Sequence, residues 1–192
     1  MRAVLNQESE AREMPVSSQR HTNSDEPAWF ARIGLPLGVR ERAGIAAMLR
    51  ELDYGPGMPV VGVASWVDVA HVLRAEEWDN RWWDAEEEER ERLWSLAALR
   101  LTEDELLRRL TAATDTLADS ICNGAALAAG RGSVAGSGLQ RAAVDAALLA
   151  AHQRALADVA GVAAEHYFRR KFELFADGRW PLGVHSGEYL LF

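Results

Sequence analysis

The sequence predicts a mainly α fold: a single helical domain of five to six helices, with a small sheet of about three strands, antiparallel or mixed, that includes a C-terminal hairpin. Apolar residues recur at helical spacing over several stretches. Serine, threonine or aspartate precedes an acidic residue by three positions at the head of such patterns, as in a capping box. Only PVVGVA at 59–64 and RWPLGVHSGEYLLF at the end of the chain read as extended. A chain of 192 residues, 48% apolar and 26% charged, fits one soluble domain with a sizeable core.

Residues 1–27 are polar and aperiodic, too poor in apolar area to offset chain entropy, so a disordered or loosely docked tail is expected there, with the domain spanning 28–192. WFARIGLP, from Trp29 to Pro36, is apolar but broken by Gly34 and Pro36, which suits an irregular segment anchored by its aromatics. Ile45, Met48, Leu49 and Leu52 then mark a helix over 40–52, stopped by DYGPGMP. PVVGVA is a β-branched run too short for a helix and is expected to be a strand. Ser65 with Asp68 caps a helix over WVDVAHVLRAEE. Asp84 with Glu87 repeats the pattern, so a helix–linker–helix breaking near Asp79 and Asn80 is expected in the tryptophan-rich stretch. Thr102 with Glu105 opens a helix whose stripe of Leu106, Leu110, Leu117 and Ile121 runs to about Ala129. GRGSVAGSG at 130–138 reads as a flexible connection before an alanine-rich helix from Leu139 to Val159. Phe168, Phe172 and Phe175 align on one face of a further helix, and two apolar runs flank His185-Ser186-Gly187 as in a hairpin that pairs with the 59–64 strand.

The net charge of −8 argues against general binding to a phosphate backbone and suits a basic partner. The basic residues are arginines apart from one lysine, Lys171, a bias of composition that is not evidence for phosphate binding. No signal-peptide core and no membrane-spanning run occurs, which places the protein in the cytoplasm. The one cysteine, Cys122, lies in a helical pattern and reads as a small buried hydrophobe, with a nucleophile as the minor reading.

WDNRWWDAEEEERERLW holds four of the seven tryptophans. Its glutamates read as a solvated face with i,i+4 pairs such as Glu86–Arg90 and Glu88–Arg92. Trp78 and Trp82 share a helical face if the segment is helical, while Trp83 points elsewhere, and the bland reading makes the tryptophans anchors of core and rim. The functional reading makes Trp78, Trp82, Trp83 and Glu86 a partner-binding patch, because Trp is a hot-spot residue at interfaces. Asp68 with His71, and Asp145 with His152, each share a helical face and could form a general base or a metal-ligand pair. A capping acid and structural or exposed histidines explain the same residues, and His166 and His185 are read as structural or exposed. HExxH, paired CxxC, Glu-x-x-His, P-loop and GxSxG signatures are missing, so metal and cofactor remain unassigned. The favoured function is a non-catalytic accessory or binding protein, immunity-type or complex-forming, with a protein partner, no nucleic acid or membrane, and room for an oligomer. The alternative is a small helical enzyme of specialised metabolism that uses the Asp/His pairs for acid–base or metal chemistry.

Overall fold

A computed structural model of the chain describes residues 27–54, 57–131 and 137–192. Six helices are described: α1 (Val39–Leu49), α2 (Trp66–Val72), α3 (Asn80–Ala98), α4 (Glu103–Arg131), α5 (Ser137–Ala160) and α6 (Tyr167–Ala176). Three strands, β1 (Val60–Gly62), β2 (Pro181–His185) and β3 (Glu188–Leu191), form one sheet of order β1-β3-β2. The fold is mainly α with a small mixed sheet: β3 is central, parallel to β1 and antiparallel to β2. The expected tail lies outside the described residues except for Pro27, and so does 132–136 of the expected 130–138 connection. The ends of that connection are helical, closing α4 and opening α5.

The hairpin divides the core into two halves. Alternation along β3 sends Leu190, with Phe192 just beyond it, toward Trp66, Phe175 and Trp180, while Tyr189 and Leu191 meet Leu93, Leu106 and Leu156 on the opposite face. Both faces of the strand are therefore buried, which explains its continuous apolar run. On β2 the register shifts between Pro181 and Gly183. That irregularity places Leu182 in one half and Val184 in the other, although they are two apart. Gly183 has φ +118°, and a Cβ there would lie 2.8 Å from the Trp82 ring, so only glycine admits the indole at this point. The turn is made by Ser186 and Gly187, both at positive φ as a two-residue hairpin turn requires, and His185 belongs to the strand rather than to the loop.

Several helix boundaries differ from expectation. Ser65 caps α2, its Oγ accepting the Asp68 N–H at 3.2 Å and donating to Asp68 Oδ2 at 2.6 Å, but the helix ends at Val72 instead of Glu77. The following residues are claimed by the outer edge of β2: Ser186 N–H donates to the Glu77 carbonyl, and Asp79 N–H to that of Val184. The cap of α3 is Asp79, whose Oδ1 accepts the Arg81 N–H at 3.0 Å, and α3 runs unbroken past Asp84 and Glu87. The Asp84 box is thus not a cap, and the break expected at Asp79–Asn80 is where the helix starts. The segment before α1 crosses the domain as a strap, with Trp29 and Phe30 buried as anchors. Trp29 Nε1 donates to Ser120 Oγ at 3.0 Å, and Ala28 N–H donates to the Ala176 carbonyl at 2.7 Å. No described helix is long and apolar enough to cross a membrane.

Candidate functional site

Among the described residues no hydrogen bond or ion pair joins Asp68 to His71 or Asp145 to His152. Asp68 is committed to the Ser65 cap, and His71 is exposed on α2 with no hydrogen bond to a described side chain. Asp145 is exposed on α5, whereas His152, two turns on, is half-buried and makes no described hydrogen bond to it. Burial, and secondarily the Arg90 charge, hold the His152 imidazole below its ordinary pKa and favour its neutral form. Among the described residues no three His, Cys, Asp or Glu side chains converge as metal ligands. His166 instead caps α6: Nδ1 accepts the Phe168 N–H at 3.2 Å, which leaves Nε2 as the protonated nitrogen facing Glu89 Oε1 at 2.5 Å. Cys122 is exposed, not buried, because it faces away from the Ile121 and Ala125 stripe of α4.

The tryptophan stretch is divided between interior and surface. Trp82 is 3% exposed and Glu86 4%, so as folded neither is part of a surface patch. Glu86 is not on the solvated face either; the surface pairs are Glu87–Arg90 and Glu89–Arg92, at i,i+3. Trp78 is half-buried against His185, while Trp83 is 51% exposed. Glu86 accepts two bonds from Lys171 Nζ, both at 2.7 Å, and one from the Tyr167 hydroxyl at 2.6 Å. Trp82 Nε1 donates to Tyr167 Oη at 3.2 Å, and the Lys171 ammonium lies 5.3 Å from a Trp82 ring centroid. Burial, reinforced by the Glu86 charge, raises the hydroxyl pKa values of Tyr167 and Tyr189. The chain's only lysine is therefore ion-paired inside the core. Its position gave a signal that the sequence reading missed: Lys171 lies three residues after Phe168 and four before Phe175, on the buried face of α6.

A surface site lies elsewhere, between α1 and α6, as an open groove of 580 Å³. Ile45 and Met48 from α1 and Leu174 from α6 form its apolar floor. Arg40, Gly44 and Ala47 on the outward face of α1, with Glu51 in the 3-10 turn Arg50–Leu52 that follows it, form one wall, and Glu165, Glu173 and Asp177 line the other side. The end near the strap is fixed by Arg179, 1% exposed. Its guanidinium holds Glu41 Oε1 at 2.8 Å and donates to the carbonyls of Arg32 and Leu35, both at 2.6 Å, and of Pro36 at 3.1 Å. Burial alone would raise the Glu41 pKa, but the Arg179 hydrogen bond, the Gly38 N–H and two guanidinium charges outweigh it and the net shift is downward. Strap and α1 are thus tied into one rigid wall. Gly44 is the signal the sequence reading passed over. Glycine inside a helix costs about 1 kcal/mol relative to alanine, yet a Cβ at Gly44 would meet nothing within 4 Å, so the fold itself does not require it.

No protein-family model, curated protein or solved structure matches the chain.

Proposed function

We propose that the protein is a non-catalytic, cytoplasmic accessory or binding protein, a complex-forming subunit whose α1–α6 groove receives a protein partner. The groove carries this reading: it is open, within the roughly 300–1,000 Å³ range of binding pockets, has an apolar floor inside an ionic rim, and is walled by a helix that Arg179 fixes in place. Interfaces that bind specifically share that pattern of apolar centre and polar rim. Exposed Trp83 is a second, separate anchor of the kind that interfaces enrich. The Asp68/His71 and Asp145/His152 pairs give the catalytic alternative less support, because their members have other partners or none.

The test is differential. The intact chain would be purified from its source cells as wild type and as Gly44→Trp, Trp83→Ala, His71→Gln and His152→Gln, and the retained proteins quantified beside the cellular phenotype of each variant. A specific partner lost with Gly44→Trp, and retained by both histidine variants, is the expected result. A phenotype abolished by either histidine change in a protein that stays folded, with the groove and tryptophan variants neutral, would replace the binding reading with the enzymatic one.

A further inference from the structure

We propose that the partner segment for the α1–α6 groove is a basic amphipathic helix whose backbone closes on Gly44. This rests on the binding reading above and adds the chemistry of what binds. Five carboxylates line the groove, and two of them are already paired: Glu41 with Arg179 and Arg32, and Glu173 with Arg170. Glu51, Glu165 and Asp177 form no ion pair among the described residues, and Arg40 is the one lining cation in the same position. Counting Arg179 and the second guanidinium on Glu41, the balance is one negative charge, and the unpaired carboxylates Glu51, Glu165 and Asp177 are where the rim selects for arginine or lysine and against acidic segments.

The shape selects for a helix. The lining stripe of α1 runs from Arg40 to Met48, about 12 Å at 1.5 Å per residue, and Glu51 extends it in the short 3-10 turn Arg50–Leu52 that follows the helix. Leu174 and Ala47 offer apolar surface above a floor closed by Ile45 and Met48, 2% and 3% exposed, onto which side chains at i, i+3, i+4 and i+7 can dock. Among the described residues no sheet edge lines the groove, so strand addition has no template there, and no aromatic lines it, as polyproline recognition would need. Gly44, with Ala47 one turn on, leaves the α1 backbone uncovered at the middle of the wall. The fold makes no use of that gap, since a Cβ at Gly44 stands in open space, whereas a docked helix uses it for close approach.

The experiment uses the intact chain and two fluorescent synthetic peptides of about 18 residues, five helical turns. Both present leucines at i, i+3, i+4 and i+7; one carries arginine on its flanks and the other glutamate. Anisotropy titrations would be run at low and at physiological ionic strength. The arginine peptide should bind saturably, more weakly with added salt, and lose roughly tenfold or more in affinity with Gly44→Trp and with combined Glu51→Lys, Glu165→Lys and Asp177→Lys. Gly44→Ala should raise the melting midpoint of the free protein; a fall would show that the fold needs this glycine and would overturn the close-approach argument. Binding of the glutamate peptide that is lost with Gly44→Trp would overturn the partner chemistry and leave the groove reading standing. Binding of neither peptide, or binding unaffected by the groove variants, overturns the proposal; the groove reading then stands or falls on the source-cell comparison. A concentration-dependent dimer abolished by Gly44→Trp would assign the groove to a second copy of the chain and would also overturn it.

Discussion

At the scale of single residues, the Lys171–Glu86 pair has the most to lose. Both groups are almost wholly buried: Glu86 has exchanged hydration for Lys171 and the Tyr167 hydroxyl, and Lys171 for Glu86 and the Trp82 ring. Lys171→Met leaves Glu86 charged and unmatched, and should cost about 3–5 kcal/mol, a large part of a typical total of about 5–15 kcal/mol. Adding Glu86→Gln removes the orphaned charge while keeping an oxygen for the Tyr167 hydroxyl, so the double variant should regain much of that loss in urea denaturation. A double variant no more stable than Lys171→Met would show that the pair is not the source of the cost. Native protein treated with an amine-acylating reagent should also keep Lys171 unmodified, with the Lys171 peptide labelled only after denaturation, as read by mass spectrometry. Cys122 should behave in the opposite way. It is exposed on α4, so a thiol reagent should titrate it fully in the native state; a thiol that reacts only in denaturant would contradict its placement. Helical periodicity alone left Cys122 ambiguous, since an apolar stripe covers one face of a helix and says little about positions at its border.

At the scale of elements, local signals and tertiary ones separate cleanly. The Ser65 cap, the Thr102 cap, the turn formers after Leu52 and the apolar face of α6 are all legible in a few adjacent residues, and the helices they mark are present. The extent of α2 was not legible, because the hydrogen bonds that end its helical path go to β2, more than a hundred positions later in the chain. For the same reason Asp84 resembled a cap and was not one: Asp79 starts the helix where the chain leaves the sheet edge. The groove was illegible because its walls, α1 and α6, are far apart in sequence, though an unneeded glycine inside α1 hinted at it. The hairpin was readable from its turn and its apolar ends. Truncation after Gly187 removes β3 together with Phe192, so Tyr189, Leu190, Leu191 and Phe192 leave both halves of the core at once. At roughly 1.5–3 kcal/mol for each buried large side chain, this should abolish the cooperative thermal transition. A truncated chain that melts like the full-length one would exclude the hairpin from the core.

At the scale of the whole molecule, ionisable groups at separate joints tie the elements together, and they should make stability depend on pH in two steps. Glu41 joins α1 to Arg179 beyond α6, and Glu89 joins α3 to the cap of α6 through His166. For Glu89, as for Glu41, burial alone would raise the pKa, but the hydrogen bonds from Arg92 and His166 and the Arg92 charge prevail and the net shift is downward. His152 is also shifted downward, by burial first and then by Arg90. In each case the folded state binds its proton less tightly than the unfolded state does, so acidification favours unfolding. The stability that His152 contributes is fully present above its unfolded value of about 6.5 and is lost as pH falls through its lower folded value. The carboxylate contribution is fully present above about 4.3 and is lost as pH falls through the lowered values of Glu41 and Glu89. Exposed pairs such as Glu87–Arg90 add little, because solvent screens them. Urea midpoints taken from about pH 8 down to about pH 3 should therefore show a plateau, a shallow decline beginning near the histidine range, and a steeper one in the carboxylate range. His152→Gln should remove the shallow decline and leave the steep one. Stability that stays level through the histidine range in the wild type would mean that His152 accepts a proton as readily in the folded chain as in the unfolded one, and that its place beside Arg90 and the core is not the one described.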